Sequence, residues 1–138
     1  MEKIITDIAE LYFLEDGIFC TRLLQDKEID IDKAKANFAE SRKLTGDSRY
    51  TAFTDARGFM SITKEAMAYG GTKEVNDPVI AHAILVNSLA NRLLGNFLIK
   101  FYKPPAPTRL FTNEEEALGW LREKLEEDNM NKDYPLKH

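Results

Sequence analysis

From Ile80 to Tyr102 the chain reads Ile-Ala-His-Ala-Ile-Leu-Val, then Asn-Ser, then a long apolar pattern of helical period. An apolar run of strand length feeding a capped helix is the basic unit of an α/β sheet. Open α/β folds place their ligands where such a strand ends and its helix begins. Here that junction holds only Asn87 and Ser88. Neither belongs to a nucleophile–base pair, a metal cluster or a phosphate loop. Ser88 suits a helix N-cap, because its hydroxyl can accept a free backbone N–H of the first turn.

The rest of the chain extends that unit. Ala9 to Leu14 and Ile18 to Leu24 are β-prone runs separated by Glu15-Asp16-Gly17. Asp-Gly between such runs predicts a hairpin. Asp30 caps a helix over about Ile31 to Leu44, and Thr45-Gly46 stops it. Tyr50 to Asp55 is a third strand. A loop through Phe59 and Met60 leads to a helix over about Ile62 to Tyr69, capped by Ser61 or Thr63 and ended by Gly70-Gly71. Asn76-Asp77-Pro78 is a turn, since proline fixes its own φ and restricts the residue before it. After the Ile80–Val86 strand and the Leu89–Tyr102 helix, Pro104-Pro105-Ala106-Pro107 forms a rigid loop. Thr108 to Phe111 is a last short strand. Thr112 and Glu115 match a capping box, and Ala117, Leu118, Leu121 and Leu125 line one face of the final helix.

The expected order is thus β-β-α-β-α-β-α-β-α in a single α/β domain. Its sheet is mixed and mostly parallel, with an antiparallel hairpin. That domain is expected over residues 1–127, with a polar tail over 128–138. A chain of 138 residues is long enough to bury a core of this kind.

Composition excludes several functions. The net charge is −4, and the basic residues do not gather in one block. That argues against nucleic acid, whose binding needs a basic patch. The single cysteine, Cys20, lies in a predicted strand and cannot form an internal disulfide, so it is read as a buried structural thiol. No basic region with a following apolar run marks a signal peptide, and no apolar run is long enough to span a bilayer. A cytoplasmic protein is expected, with no integral membrane segment. His82 stands alone in its strand and His138 falls in the tail, so no metal site is expected. No cofactor motif is present, and no acid, base and nucleophile converge, so no catalytic residue is assigned.

Two groups of residues remain as candidate sites. Asp55, Arg57, Ser61 and Thr63 surround the junction of the third strand and second helix. A carboxylate, a cation and hydroxyls near a helix N-terminus could bind an anion or accept a phosphoryl group. The simpler account is a local Asp55–Arg57 pair and a hydroxyl cap. The second group follows from the breadth of the Leu89–Tyr102 helix. Leu89, Leu93, Leu94, Phe97, Leu98 and Phe101 cover about half of it at ~100° per residue, with Ile99 and Tyr102 outside that arc. Together with Phe59 and Met60, the residues Phe97, Ile99, Phe101 and Tyr102 make a candidate interaction surface.

The element order resembles the STAS-like fold of the sporulation anti-sigma-factor antagonists. It is shared by small bacterial domains related to the CRAL-TRIO lipid-binding fold. The resemblance runs from about Ala9 to Leu125. It is carried by the Tyr50–Asp55 strand with its loop and helix, by Ile80–Val86, and by the stretch from Asn96 to Pro105. The run from Arg109 to Leu118 looks like an uncharacterised STAS-like group. The antagonists carry an Asp-Ser-Ser-type motif at the start of their second helix, where a serine is phosphorylated. This chain has Met60-Ser61-Ile62-Thr63 there, which lacks the motif and leaves Ser61 as the positional counterpart. The resemblance implies a bacterial, non-enzymatic binding or regulatory module acting through protein–protein contact. Its partner would be another protein or a second copy, since an isologous homodimer is the commonest way to hide a shared apolar patch. The CRAL-TRIO relatives imply an alternative, a carrier or sensor of a lipid or other small apolar ligand.

Overall fold

Asp16 and Gly17 turn the chain between β2 (Ala9–Glu15) and β3 (Ile18–Leu23), which pair antiparallel. Gly17 has φ 84°, a conformation an L side chain resists. A Cβ there would also lie 2.4 Å from a methyl of Leu125, so the turn doubles as a seat for the last helix. The computed structural model describes residues 2–133, with all their side chains except those of Leu94, Phe101, Tyr102, Lys132 and Asp133.

β1 (Lys3–Ile5) lies antiparallel along β2 at the sheet edge. α1 (Ile31–Thr45) carries the chain from β3 to β5 (Tyr50–Asp55), which pairs parallel with β3. α2 (Lys64–Gly70) and α3 (Lys73–Asn76) lead to β7 (Val79–Leu85), parallel to β5. α4 (Leu89–Tyr102) leads to β8 (Thr108–Phe111), parallel to β7, and α5 (Glu114–Asp133) closes the chain. The six-stranded order is β1-β2-β3-β5-β7-β8. β4 (Glu28–Ile29) and β6 (Ser61–Ile62) form a separate parallel pair. The expected mixed, mostly parallel α/β domain is what the chain forms.

Alternation along the strands divides two cores. On one face Tyr12, Ile18, Cys20, Phe53, Ala81, Ala83 and Leu85 pack against Ala117, Leu118 and Leu121 of α5. The two alanines of β7 leave room for the helix to come close. On the other face Leu11, Phe19 and Tyr50 join Ala34 and Leu44 of α1 and Ala66 of α2. Burying one such large apolar side chain is worth about 1.5–3 kcal/mol. Cys20 is fully buried, and burial pushes its thiol pKa up.

Several expectations need correction. β1, β4, β6 and α3 were not foreseen, because runs of two to four residues carry too little periodicity to be read. The N-cap of α5 is Asn113, whose Oδ1 accepts from Glu116 N at 2.9 Å. The expected Thr112–Glu115 box is therefore displaced by one residue. The tail expected from residue 128 begins inside a helix, since α5 runs to Asp133. Residues 134–138, His138 among them, lie outside the described residues. The hydroxyl that caps α2 is that of Thr63, accepting from Ala66 N at 3.2 Å, while Ser61 belongs to β6.

Candidate functional site

Asp55 ends β5 with its side chain buried. Its Oδ1 accepts from the backbone N and Nε of Arg57, at 3.1 and 2.9 Å. Its Oδ2 accepts from Arg57 Nη2 at 2.8 Å and from Arg22 Nη1. Arg22 Nε and Nη2 also donate to the Tyr12 hydroxyl, at 3.3 and 2.9 Å, and Arg57 Nη2 approaches Glu114 at 3.8 Å. Burial pushes the Asp55 carboxyl pKa up, but the Arg57 hydrogen bonds and the two cations outweigh it and hold the group below the usual carboxylate value. Two guanidiniums thus saturate one buried carboxylate, an arrangement that closes the β3–β5 end of the sheet.

The four residues of the anion-site expectation do not form one hydrogen-bonded cluster. Asp55 and Arg57 pair with each other. The Thr63 hydroxyl is spent on the α2 cap, and its N–H donates to Ile29 O at 2.9 Å. Ser61 lies opposite Glu28 in the short parallel pair. His82 does not join Asp55 either. It shares a sheet face with Thr54, and strand alternation sends Asp55 to the opposite face.

α4 sits differently from its sequence reading. Ser88 caps it as expected, accepting from Asn91 N at 3.1 Å. Asn91 Nδ2 donates to Ala56 O at 3.1 Å, tying the first turn to the loop after β5. A Cβ on Gly95 would lie 2.7 Å from a methyl of Leu110, so that glycine is where α4 meets β8. The inward face therefore centres on Gly95, Leu98 and Ile99. The outward face carries Leu89, Leu93 and Phe97, exposed by 72%, 61% and 44%, so part of the apolar arc is turned to solvent. Met60 is also exposed, by 52%. Ile99 and Phe59 are half-buried and line cavities instead of the surface. The side chains of Phe101 and Tyr102 lie outside the described residues.

Beneath α4 the packing is open. A cavity of about 160 Å³ lies between Ala66 and Met67 of α2, Leu98 and Ile99 of α4, and His82 and Ile84 of the sheet. A second, about 290 Å³, runs from His82 and Thr54 under α1 and α2 toward Phe19 and Tyr50. A third, about 170 Å³, lies between Ile84, Gly95, Leu98 and Phe59. Ile62 and His82 border all three. The second by itself comes close to the ~300 Å³ at the small end of small-molecule sites. His82 Nε2 lies 2.7 Å from Thr54 Oγ1, and burial lowers the imidazole pKa to about 4. This pair was missed by reading His82 as a solitary strand residue. The available signal was alternation: Ile80, His82 and Ile84 share one face, and Ala81, Ala83 and Leu85 the other.

Among the described residues no group of three His, Cys, Asp or Glu side chains is placed to hold a metal ion, and no helix is long and apolar enough to cross a membrane. The element order and mixed sheet define a SpoIIAA-like, that is STAS-like, α/β fold. A Shewanella loihica protein of the DUF3478 family, described as uncharacterised with a SpoIIAA-like fold, matches with a TM-score of 0.62 at 12% identity. The match covers 88% of this chain and 98% of that one, a likeness of fold alone. A protein of unknown function from Arthrobacter sp. FB24 is 28% identical over 86% of this chain and 95% of that one, with a TM-score of 0.29. No curated protein sequence matches the chain. The chain belongs to the DUF7793 family, a domain of unknown function, whose model matches residues 12–125.

Proposed function

We propose that this protein is a non-enzymatic binding module that carries or senses a small apolar ligand held between the sheet and α1, α2 and α4. The observation that carries this reading is the set of cavities meeting at His82 and Ile62, lined mostly by aliphatic and aromatic groups and by no acidic or basic side chain other than His82 among the described residues. Of the ionisable side chains bordering them, His82 is held neutral near pH 7 and hydrogen-bonded to Thr54, burial pushes the Tyr50 and Tyr69 hydroxyls further up, and Asp55 is saturated by arginines on the other face. None is arranged as an acid or base facing a substrate. Organic extraction of natively purified protein, followed by mass spectrometry, is expected to release a small apolar molecule. Protein that carries none, and whose melting temperature does not move with toluene, would overturn the proposal.

A second reading, regulation through protein contact, is favoured by one observation. Leu89, Leu93 and Phe97 succeed each other at four-residue spacing on the outer side of α4, with Met60 also exposed. Replacing Leu93 by Glu is expected to abolish any homodimer or partner complex seen by native mass spectrometry. Wild-type protein that stays monomeric with no retained partner would count against this reading.

A further inference from the structure

The cavities have a chemical bias that goes beyond being apolar. None of the three is bordered by a lysine, arginine, aspartate or glutamate among the described residues. Several polar groups in their walls are already satisfied. Asn76 Nδ2 donates to the Gly70 and Thr72 carbonyls, Asn91 Nδ2 to Ala56 O, Ser41 Oγ to Phe38 O, and Thr108 Oγ1 to Ala106 O. His82 is different. One ring nitrogen, Nε2, is held by Thr54 Oγ1, and the other, Nδ1, makes no hydrogen bond with any described residue. It belongs to the residue at which all three cavities meet.

We infer that the site takes an uncharged apolar molecule with one hydrogen-bonding head, an alcohol, ketone, ester or amide, seated on His82 Nδ1, and that it rejects the matching carboxylate. The inference rests on the ligand-carrier reading above and specifies its chemistry. A neutral imidazole held at one nitrogen offers the other as either donor or acceptor. When the Thr54 hydroxyl donates to Nε2, Nδ1–H is left to donate to a carbonyl. When Nε2–H donates to Thr54, Nδ1 accepts from a hydroxyl. A carboxylate head would be buried without any countercharge, and desolvating an unpaired charge costs far more than one hydrogen bond returns. The charge-free walls therefore select against fatty acids and phosphate-bearing heads while leaving the tail's identity open.

The test is an NMR titration of the full chain near neutral pH with four probes: octanol, octanone, octanoate and toluene. Octanol and octanone are expected to bind with shifts centred on His82 and Thr54, and octanoate at least about tenfold more weakly. His82→Phe is expected to weaken octanol and octanone by about five- to tenfold, the equivalent of one hydrogen bond, and to leave toluene within about twofold. The wild-type comparison stands even if that variant does not fold, and His82→Gln supplies a polar substitute for it. Octanoate binding as tightly as octanol would overturn the inference and leave the cavity reading intact. Octanol affinity unchanged in a folded His82→Phe protein would overturn the seat on His82. Failure of all four probes, toluene included, would overturn both.

Discussion

The two faces of the sheet are built from the same strands yet packed differently. On the α5 face, Phe53, Ile18, Cys20 and Leu121 are fully buried, and the small side chains of Ala81 and Ala83 let one long helix lie close. On the other face, α1, α2 and α4 share the cover, and β7 presents Ile80, His82 and Ile84 instead of alanines. Bulky residues and a polar group keep those helices off the sheet, and cavities result. The difference teaches that close packing and open space have been separated by face. One side holds the fold together, and the other keeps space.

The comparison can be broken by matched truncations. Leu121→Ala on the closed face is expected to cost about 3 kcal/mol in urea unfolding, because it opens a void in a packed core. Leu98→Ala on the hollow face is expected to cost about 1 kcal/mol, since its side chain already borders empty space. Equal losses would mean that the hollow face is as tightly packed as the closed one.

Acid provides a second contrast of comparable size. His82 has a pKa of about 4 in the folded protein against an ordinary value of 6.5. The unfolded chain therefore binds the proton first, and stability falls as pH drops. The contribution is whole above pH 6.5, declines below it, and is gone by about pH 4. Its size is up to about 3 kcal/mol. Asp55, on the closed face, is held below the usual carboxylate value, so its contribution is lost only at lower pH. Urea unfolding of wild type and His82→Gln across this range should differ in slope above pH 4. Parallel slopes would show that the imidazole is already hydrated in the folded state.

The smallest effect concerns the caps. Asn113→Ala, at the start of α5, is expected to cost about 1 kcal/mol of global stability. Ser88→Ala, at the start of α4, is expected to cost no more than that and to appear mainly as faster hydrogen exchange confined to α4. Exchange spreading across the whole sheet in the Ser88 variant would show that α4 is as integral to the core as α5.

Local signals carried the main architecture because their physics is local. Asp16-Gly17 makes a hairpin through backbone freedom at one glycine, and Asp30 and Ser88 cap helices by bonds three residues long. Such features, with strand alternation and helical period, determined an α/β domain of the observed class. Other features joined residues that are distant in the chain, and only the tertiary structure decided them. Glu28 meets Ser61, Arg22 meets Asp55, and Thr54 meets His82. The face of α4 that turns inward was settled by the fit of Gly95 against Leu110, not by where its leucines cluster. The junction at Asn87 and Ser88 is a helix start, as the sequence determined. The space beneath that helix was decided by how far three helices could approach one strand.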